Sequence, residues 1–158
     1  MKKIALLFFV LVANPAAAAA TTASGPSALA LAAIVGSHSR GLGVVDRAAL
    51  ARLFGGRTNF GYPANRKITI SADSIDCKAS NVDITERSCA LIFGASNRAL
   101  KGREAHELYA TLIEAGVASD GAAGTIHESV THLICTIDPN AIKQKDGSGA
   151  ECKFDTGA

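Results

Sequence analysis

The stretch Gly124-Thr-Ile-His-Glu-Ser-Val-Thr-His-Leu-Ile-Cys135 decides how this chain is read. Taken as a helix, it carries a near match to HExxH, the helical signature of zinc hydrolases. That signature works because residues i and i+4 lie about 40° apart on a helix, so both imidazoles reach one metal. Here the histidines are His127 and His132, five apart, and Thr131 occupies the position the signature reserves for the second ligand. At 100° per residue the two rings diverge by about 140°. On a strand the odd spacing sends them to opposite faces of a sheet. Neither geometry builds a two-histidine site from this stretch alone. Thr125, Ile126, Val130, Thr131, Ile134, Thr136 and Ile137 are β-branched and favour a strand, with a helix over 122–133 as the alternative. Neither face of that strand alternates cleanly between apolar and polar, which leaves room for a bulge.

Working outward, the residues before this strand fall into three shorter strands and a helix. Ile68, Ile70 and Ala72 alternate with polar residues, and the phase then moves to Ile75, Cys77 and Ala79. One extra residue near Asp73-Ser74 accounts for that shift, so a bulge is expected there. Cys89, Leu91 and Phe93 mark a second strand, and the turn Ala95-Ser-Asn97 leads into a short third one at 98–101. Between Gly102 and Gly116, Ala105, Leu108, Tyr109 and Leu112 form an apolar stripe at helical spacing. After the opening stretch, Asp138-Pro139 starts a turn, and Glu151-Cys-Lys-Phe154 reads as a last strand. The expected fold is therefore α+β: an antiparallel sheet of about five strands with one main amphipathic helix packed on it, braced by disulfides and preceded by short N-terminal helices.

Those braces are Cys77, Cys89, Cys135 and Cys152. An even count in an exported chain implies two disulfides. The order of strands favours Cys77 with Cys89 and Cys135 with Cys152, since the crossed pairings require distant strands to be neighbours. No spacing is C-x-x-C, so a redox motif or zinc ribbon gains no support.

Export itself is read from the N-terminus. Lys2 and Lys3 precede an apolar run from Ile4 to Val12, then Pro15 and the alanines 16–20. This is the pattern of a secretory signal peptide over residues 1–20, and the run is too short for a membrane span, which takes about 20 residues. The destination is the periplasm or the medium, and no membrane span remains once the segment is removed. Residues 21–66 then form a helical arm and loop, and 67–158 the compact α+β domain. In the arm, Pro26–Val35 is a helix stopped by Gly36, and a second helix starts at Asp46 as N-cap, with Val45 stapled to Leu50 and with Leu50, Leu53 and Phe54 on its buried face.

Removing the leader also changes the charge argument. The chain has 16 Lys+Arg and 14 Asp+Glu, and the two leader lysines account for the whole excess. A neutral mature protein implies nothing about nucleic acid. The arm holds Arg40, Arg47, Arg52, Arg57 and Arg66 against one acid, Asp46, while 67–158 is net acidic. Either the basic arm lies on the acidic domain, or it meets an anionic partner.

Catalytic patterns are missing. There is no G-x-S-x-G, S-x-x-K or phosphate-loop spacing, and the cysteines are oxidised. Tryptophan is absent, which speaks against a sugar- or base-stacking platform. A composite histidine site would have to recruit His106 from the helix or His38 from the arm. No cofactor, metal or catalytic residue is assigned on this basis.

Cys77-Lys-Ala-Ser-Asn-Val-Asp-Ile-Thr-Glu-Arg-Ser-Cys89, Gly102-Arg-Glu-Ala-His-Glu-Leu-Tyr109 and Ser119-Asp-Gly-Ala-Ala-Gly124 resemble a family of small exported proteobacterial proteins. The resemblance covers most of the mature chain and implies an exported bacterial protein, with no activity attached. At the level of fold alone, a helix on a disulfide-braced antiparallel sheet is similar to secreted inhibitors of proteases, lysozymes or β-lactamases. The expected function is a non-enzymatic binding or inhibitor-like protein of the bacterial envelope, with a protein partner contacted through loops 80–86 and 117–124. The alternatives are a small metal-dependent hydrolase or metal-binding protein using His106, His127 and His132, and a structural or host-exposed envelope protein.

Overall fold

A computed structural model of the chain describes residues 19–80, 84–116, 125–143 and 146–156, and of residues 19, 79, 80, 84 and 125–128 it describes the backbone alone. The elements run β1 (Ala19–Ser24), α1 (Pro26–His38), α2 (Val44–Phe54), β2 (Ile68–Ser80), a 3-10 turn (Ile84–Glu86), β3 (Ser88–Phe93), β4 (Ser96–Lys101), α3 (Gly102–Glu114), β5 (Thr125–Ile137) and β6 (Ala150–Thr156). One antiparallel sheet takes all six strands in the order β1-β6-β5-β2-β3-β4. The α+β class is as expected, and the sheet has six strands rather than five. The additional strand, β1, straddles the boundary between residues 1–20, read as a leader, and 21–66, read as a helical arm. Its Ala-Ala-Thr-Thr-Ala-Ser sequence lacks a long apolar alternation, and it owes its place to six consecutive pairings with β6.

The opening stretch is a strand. β5 pairs with β2 along almost its full length, from Ile68 opposite Ile137 to Ser80 opposite Thr125. Both strands change their buried face at one level. Ile68, Ile70 and Ala72 are buried before it on β2, and Ile75 and Cys77 after it; across the ladder, Leu133, Cys135 and Ile137 give way to Val130. The phase shift expected at Asp73-Ser74 is therefore present, yet the β2–β5 register does not slip, because the partner strand shifts in step. The extra residue shows against β6 instead, where Thr131 faces Asp155 and Ile134 faces Lys153. His132 sits at this bulge with φ 53°, the left-handed conformation that bulges usually give to glycine.

Helices cover one face of the sheet. α3 presents Ala105, Leu108, Tyr109 and Leu112, the stripe read from the sequence, to β2, β3 and β4. α1 covers β6, β5 and β2 and also touches α2 and α3. The sequence implied one helix on the sheet, and there are two. α1 has no stripe because it is enclosed from several sides, and a helix apolar all round belongs in an interior. Ala28, Leu31, Ala32 and Val35 are fully buried. α2 forms a third layer, seated on α1 through Leu50 and Leu53.

Several helix ends differ from the sequence reading. α1 does not stop at Gly36 but runs on to His38. Gly36 is there for close approach: a Cβ at this position would lie 2.7 Å from Leu50 Cδ2. Asp46 does not cap α2, which begins two residues earlier behind Gly43. Val45 is exposed, so no staple to Leu50 forms, and Phe54 lies outside the buried face at 55% exposure.

The disulfides join Cys77 to Cys89 and Cys135 to Cys152, each between directly facing residues of neighbouring strands. Each lies beneath a helix at an alanine. Cys89 Sγ is 3.6 Å from the carbonyl oxygen of Ala105, and Cys152 Sγ is 3.4 Å from that of Ala28. The small side chains let the helix backbones descend onto the sulfurs.

Replacing either cysteine pair by two alanines is expected to lower the stability of the oxidised protein by about 2–4 kcal/mol, through lost loop closure. An unchanged urea midpoint for either pair would contradict the role given to it. At the bulge, His132→Gly is expected to be more stable than His132→Ala by about 1 kcal/mol, since both lose the imidazole and only alanine keeps the left-handed strain. Equal urea midpoints for the two variants would show that the strain is not borne at this residue.

Candidate functional site

The three histidines whose side chains are described occupy separate places. His132 projects from the bulge on the open side of the sheet, where its Nδ1 is 3.0 Å from Asp155 Oδ2. His106 lies on α3, with its Nδ1 beside the Arg87 guanidinium. Arg87 also stacks over the Tyr109 ring, 5.4 Å from its centroid. His38 ends α1. The backbone of His127 lies in β5 opposite Lys78, and its side chain falls outside the described residues. Among the described residues no group of three or more His, Cys, Asp or Glu is placed to hold a metal. Of the loops singled out for contact, 81–83 and 117–124 also fall outside the described residues, and Ile84–Glu86 forms the 3-10 turn.

The arm arginines do not neutralise the acidic domain among the described residues. Arg66 pairs with Asp46 at 2.8 Å, within the arm. Arg47 donates to the carbonyl oxygens of Ser39 at 2.8 Å and Leu42 at 3.2 Å, fixing the loop after α1. Arg52 lies over the Phe60 ring. Arg40 has no described carboxylate or hydrogen-bond partner, and neither has Arg98 on β4.

These two arginines line one cavity of about 260 Å³. It opens between the C-terminal end of α1, the middle of β2 and the β3–β4 turn. His38, Ser39 and Gly41 line it from the end of α1 and the loop after it, Ser71, Ala72 and Asp73 from β2, and Phe93, Gly94 and Ser96 from the β3–β4 hairpin. Asp73 is the single acid lining it, and its carboxylate accepts a hydrogen bond from the Gly94 N–H. That bond ties the hairpin turn to β2 at the level of the shared kink. Two guanidiniums, an imidazole and three hydroxyls thus surround one bound carboxylate, and such a lining attracts an anion. The sequence placed Arg40 in a basic arm and Arg98 on a strand, with nothing to join them. The surplus of arm arginines was the one signal that pointed this way.

A second opening of about 260 Å³ lies between α1 and α2. Ala33, Ile34, Leu50, Ala51 and Phe54 make it apolar, with Ser37 and Arg47 at its polar margin. On the outer side of α2, Asp46 holds the loop that follows. Tyr62 donates its hydroxyl to Asp46 Oδ1 at 2.5 Å, and Arg66 donates to Oδ2. Compared with family models, curated proteins and solved structures, the chain matches none of them.

Burial, then the hydrogen bond and negative charge of Asp46, push the Tyr62 phenol up from 10.0 to about 12, with Arg66 opposing. A raised value means that the fold favours the protonated phenol. This contribution to stability is complete below pH 10 and fades as pH climbs towards 12. Asp46→Asn is expected to bring Tyr62 ionisation back towards 10, read as phenolate absorbance during an alkaline titration. A titration curve unchanged by that substitution would remove Asp46 as a cause.

Proposed function

We propose that this chain is an exported, disulfide-braced binding protein of the bacterial envelope, and that it takes an anionic group in the cleft at the end of α1. The observation that carries this reading is the meeting of Arg40 and Arg98 on one cavity, with neither paired to a carboxylate among the described residues. The two come from distant parts of the chain, and the Ser39 carbonyl held by Arg47 steadies the loop that carries Arg40. An anion is offered two forked donors on a firm scaffold, the arrangement that suits carboxylate, phosphate or sulfate.

Export rests on the n-region, apolar run and alanine-rich stretch of residues 1–20, and two disulfides agree with an oxidising compartment. No described helix is long and apolar enough to cross a membrane. Cleavage after Ala20 removes two of the six β1 pairings, those of Ala19 and Ala20, and leaves Thr21–Ser24 on β6 with Ala23 buried. The strand that closes the sheet thus becomes the start of the mature protein.

The anion site is tested by nuclear magnetic resonance titration of the oxidised protein with inorganic phosphate and with acetate. Saturable shifts are expected at the amides of Arg40, Gly94 and Arg98, and they are expected to vanish in an Arg40→Ala/Arg98→Ala variant. Shifts scattered over the surface, or unchanged by the double substitution, would overturn the site. Asp73→Asn keeps an acceptor for the Gly94 N–H while removing the one negative charge, so it is expected to strengthen anion binding, an outcome that a loss of folding does not imitate.

A further inference from the structure

The basic cleft and the apolar groove both border α1. Ile34, in the groove, and His38, in the cleft, are four residues apart and share one helix face, about 6 Å apart along the axis. Arg47 lines the groove, and its guanidinium bonds the carbonyl of Ser39, a residue of the cleft wall. A polar, cation-lined opening and an apolar one therefore lie next to each other at the C-terminal end of α1, with Arg47 at the margin between them. Phe54, which also lines the groove, stands 55% exposed and borders a further opening with Leu29 and Ala30.

Resting on the anion site proposed above, we propose that the cleft and groove form one site for a single-chain amphiphile with a carboxylate headgroup. The headgroup lies between Arg40 and Arg98, and the acyl chain runs along α1 past Ile34 towards Phe54. Charge fixes the direction of the ligand. The cleft is cationic and the groove has no acid in its lining, so the carboxylate has one favourable end. The sizes favour a chain of medium length, because each opening holds about 260 Å³. Phe54 also gains an explanation. It belongs by spacing to the buried face of α2, yet it lies at the edge of the groove, where an acyl chain would cover it.

The test compares butyrate, octanoate and octanol by calorimetric titration of the oxidised full-length mature protein. Each methylene taken from water strengthens binding by about fourfold when fully buried, so octanoate is expected to bind at least about tenfold tighter than butyrate in this partly open groove. Octanol, lacking the charge, is expected to bind more weakly than octanoate. Arg40→Ala/Arg98→Ala is expected to abolish the difference between octanoate and octanol. Phe54→Ser, at an exposed position that leaves the core intact, and Ile34→Ser are each expected to reduce the gain from chain length while keeping butyrate affinity. Octanoate binding no tighter than butyrate would overturn the amphiphile and leave the anion site standing. Binding of octanoate and octanol alike, indifferent to the arginine substitutions, would overturn the amphiphile as an anion-anchored ligand. Failure of phosphate, acetate and octanoate alike to bind would overturn both readings.

Discussion

The level at which β2 and β5 change their buried face together governs the rest of this structure. A regular strand keeps one face buried throughout, because side chains alternate with a period of two. β2 and β5 are each thirteen residues long, long enough to run under two helices that sit side by side. Had only one of them shifted phase, its partner would have presented polar residues to the helices over half its length. Because both shift at Asp73-Ser74 and Thr131-His132, Ile68, Ile70 and Ala72 lie under one half of the helical layer and Ile75 and Cys77 under the other. The left-handed backbone of His132 is the local expense of that arrangement, and the mismatch is passed to β6 as a bulge.

On either side of this level the sheet is fixed by the same device. A disulfide joins two facing strand residues, and a helix alanine lies over it. Cys77–Cys89 under Ala105 holds the β2–β3 half, and Cys135–Cys152 under Ala28 holds the β5–β6 half. Both helix positions are fully buried and tolerate nothing larger without lifting the helix. The arrangement explains why a chain of modest size supports a third layer. With the sheet closed in two places, α1 is held firmly enough to carry α2, which leans on it rather than on the sheet.

Much of this was legible in the sequence where one physical signal acted alone. The stripe Ala105, Leu108, Tyr109 and Leu112 specified its helix, since no other element competes for that spacing. The β-branched residues of 125–137 overruled the resemblance to a zinc signature. The phase change at Asp73-Ser74 and the broken alternation of 125–137 could each be read on its own strand, but not that the two shifts lie opposite each other, because that depends on the pairing of β2 with β5. Elements that depend on enclosure were the hardest to read. β1 has little apolar patterning of its own, and α1 shows no stripe because it is buried on several sides. Gly36 looked like a terminator, and only the neighbouring helix reveals it as a point of close approach. Asp46 had a cap's identity and position, yet Tyr62 and Arg66, which compete for its carboxylate, stand far along the chain.

The candidate site follows from the same layering. Two layers that meet face to face seal their seam, but α2 is seated mainly on α1. Between the two helices a groove remains, lined by Ile34 and Phe54 among others. At the end of α1 the chain leaves the helical layer by the loop 39–43 and passes above the β3–β4 turn, which Asp73 ties back to β2 at the kink. A gap between loop, strand and turn is inherent in that path. Its lining is set by three segments that share no local pattern, so neither composition nor periodicity of any one of them could announce it. Arg40 and Arg98 are ordinary surface residues each within its own element. Lining one gap together with serines and an engaged aspartate, they make a candidate site through topology alone.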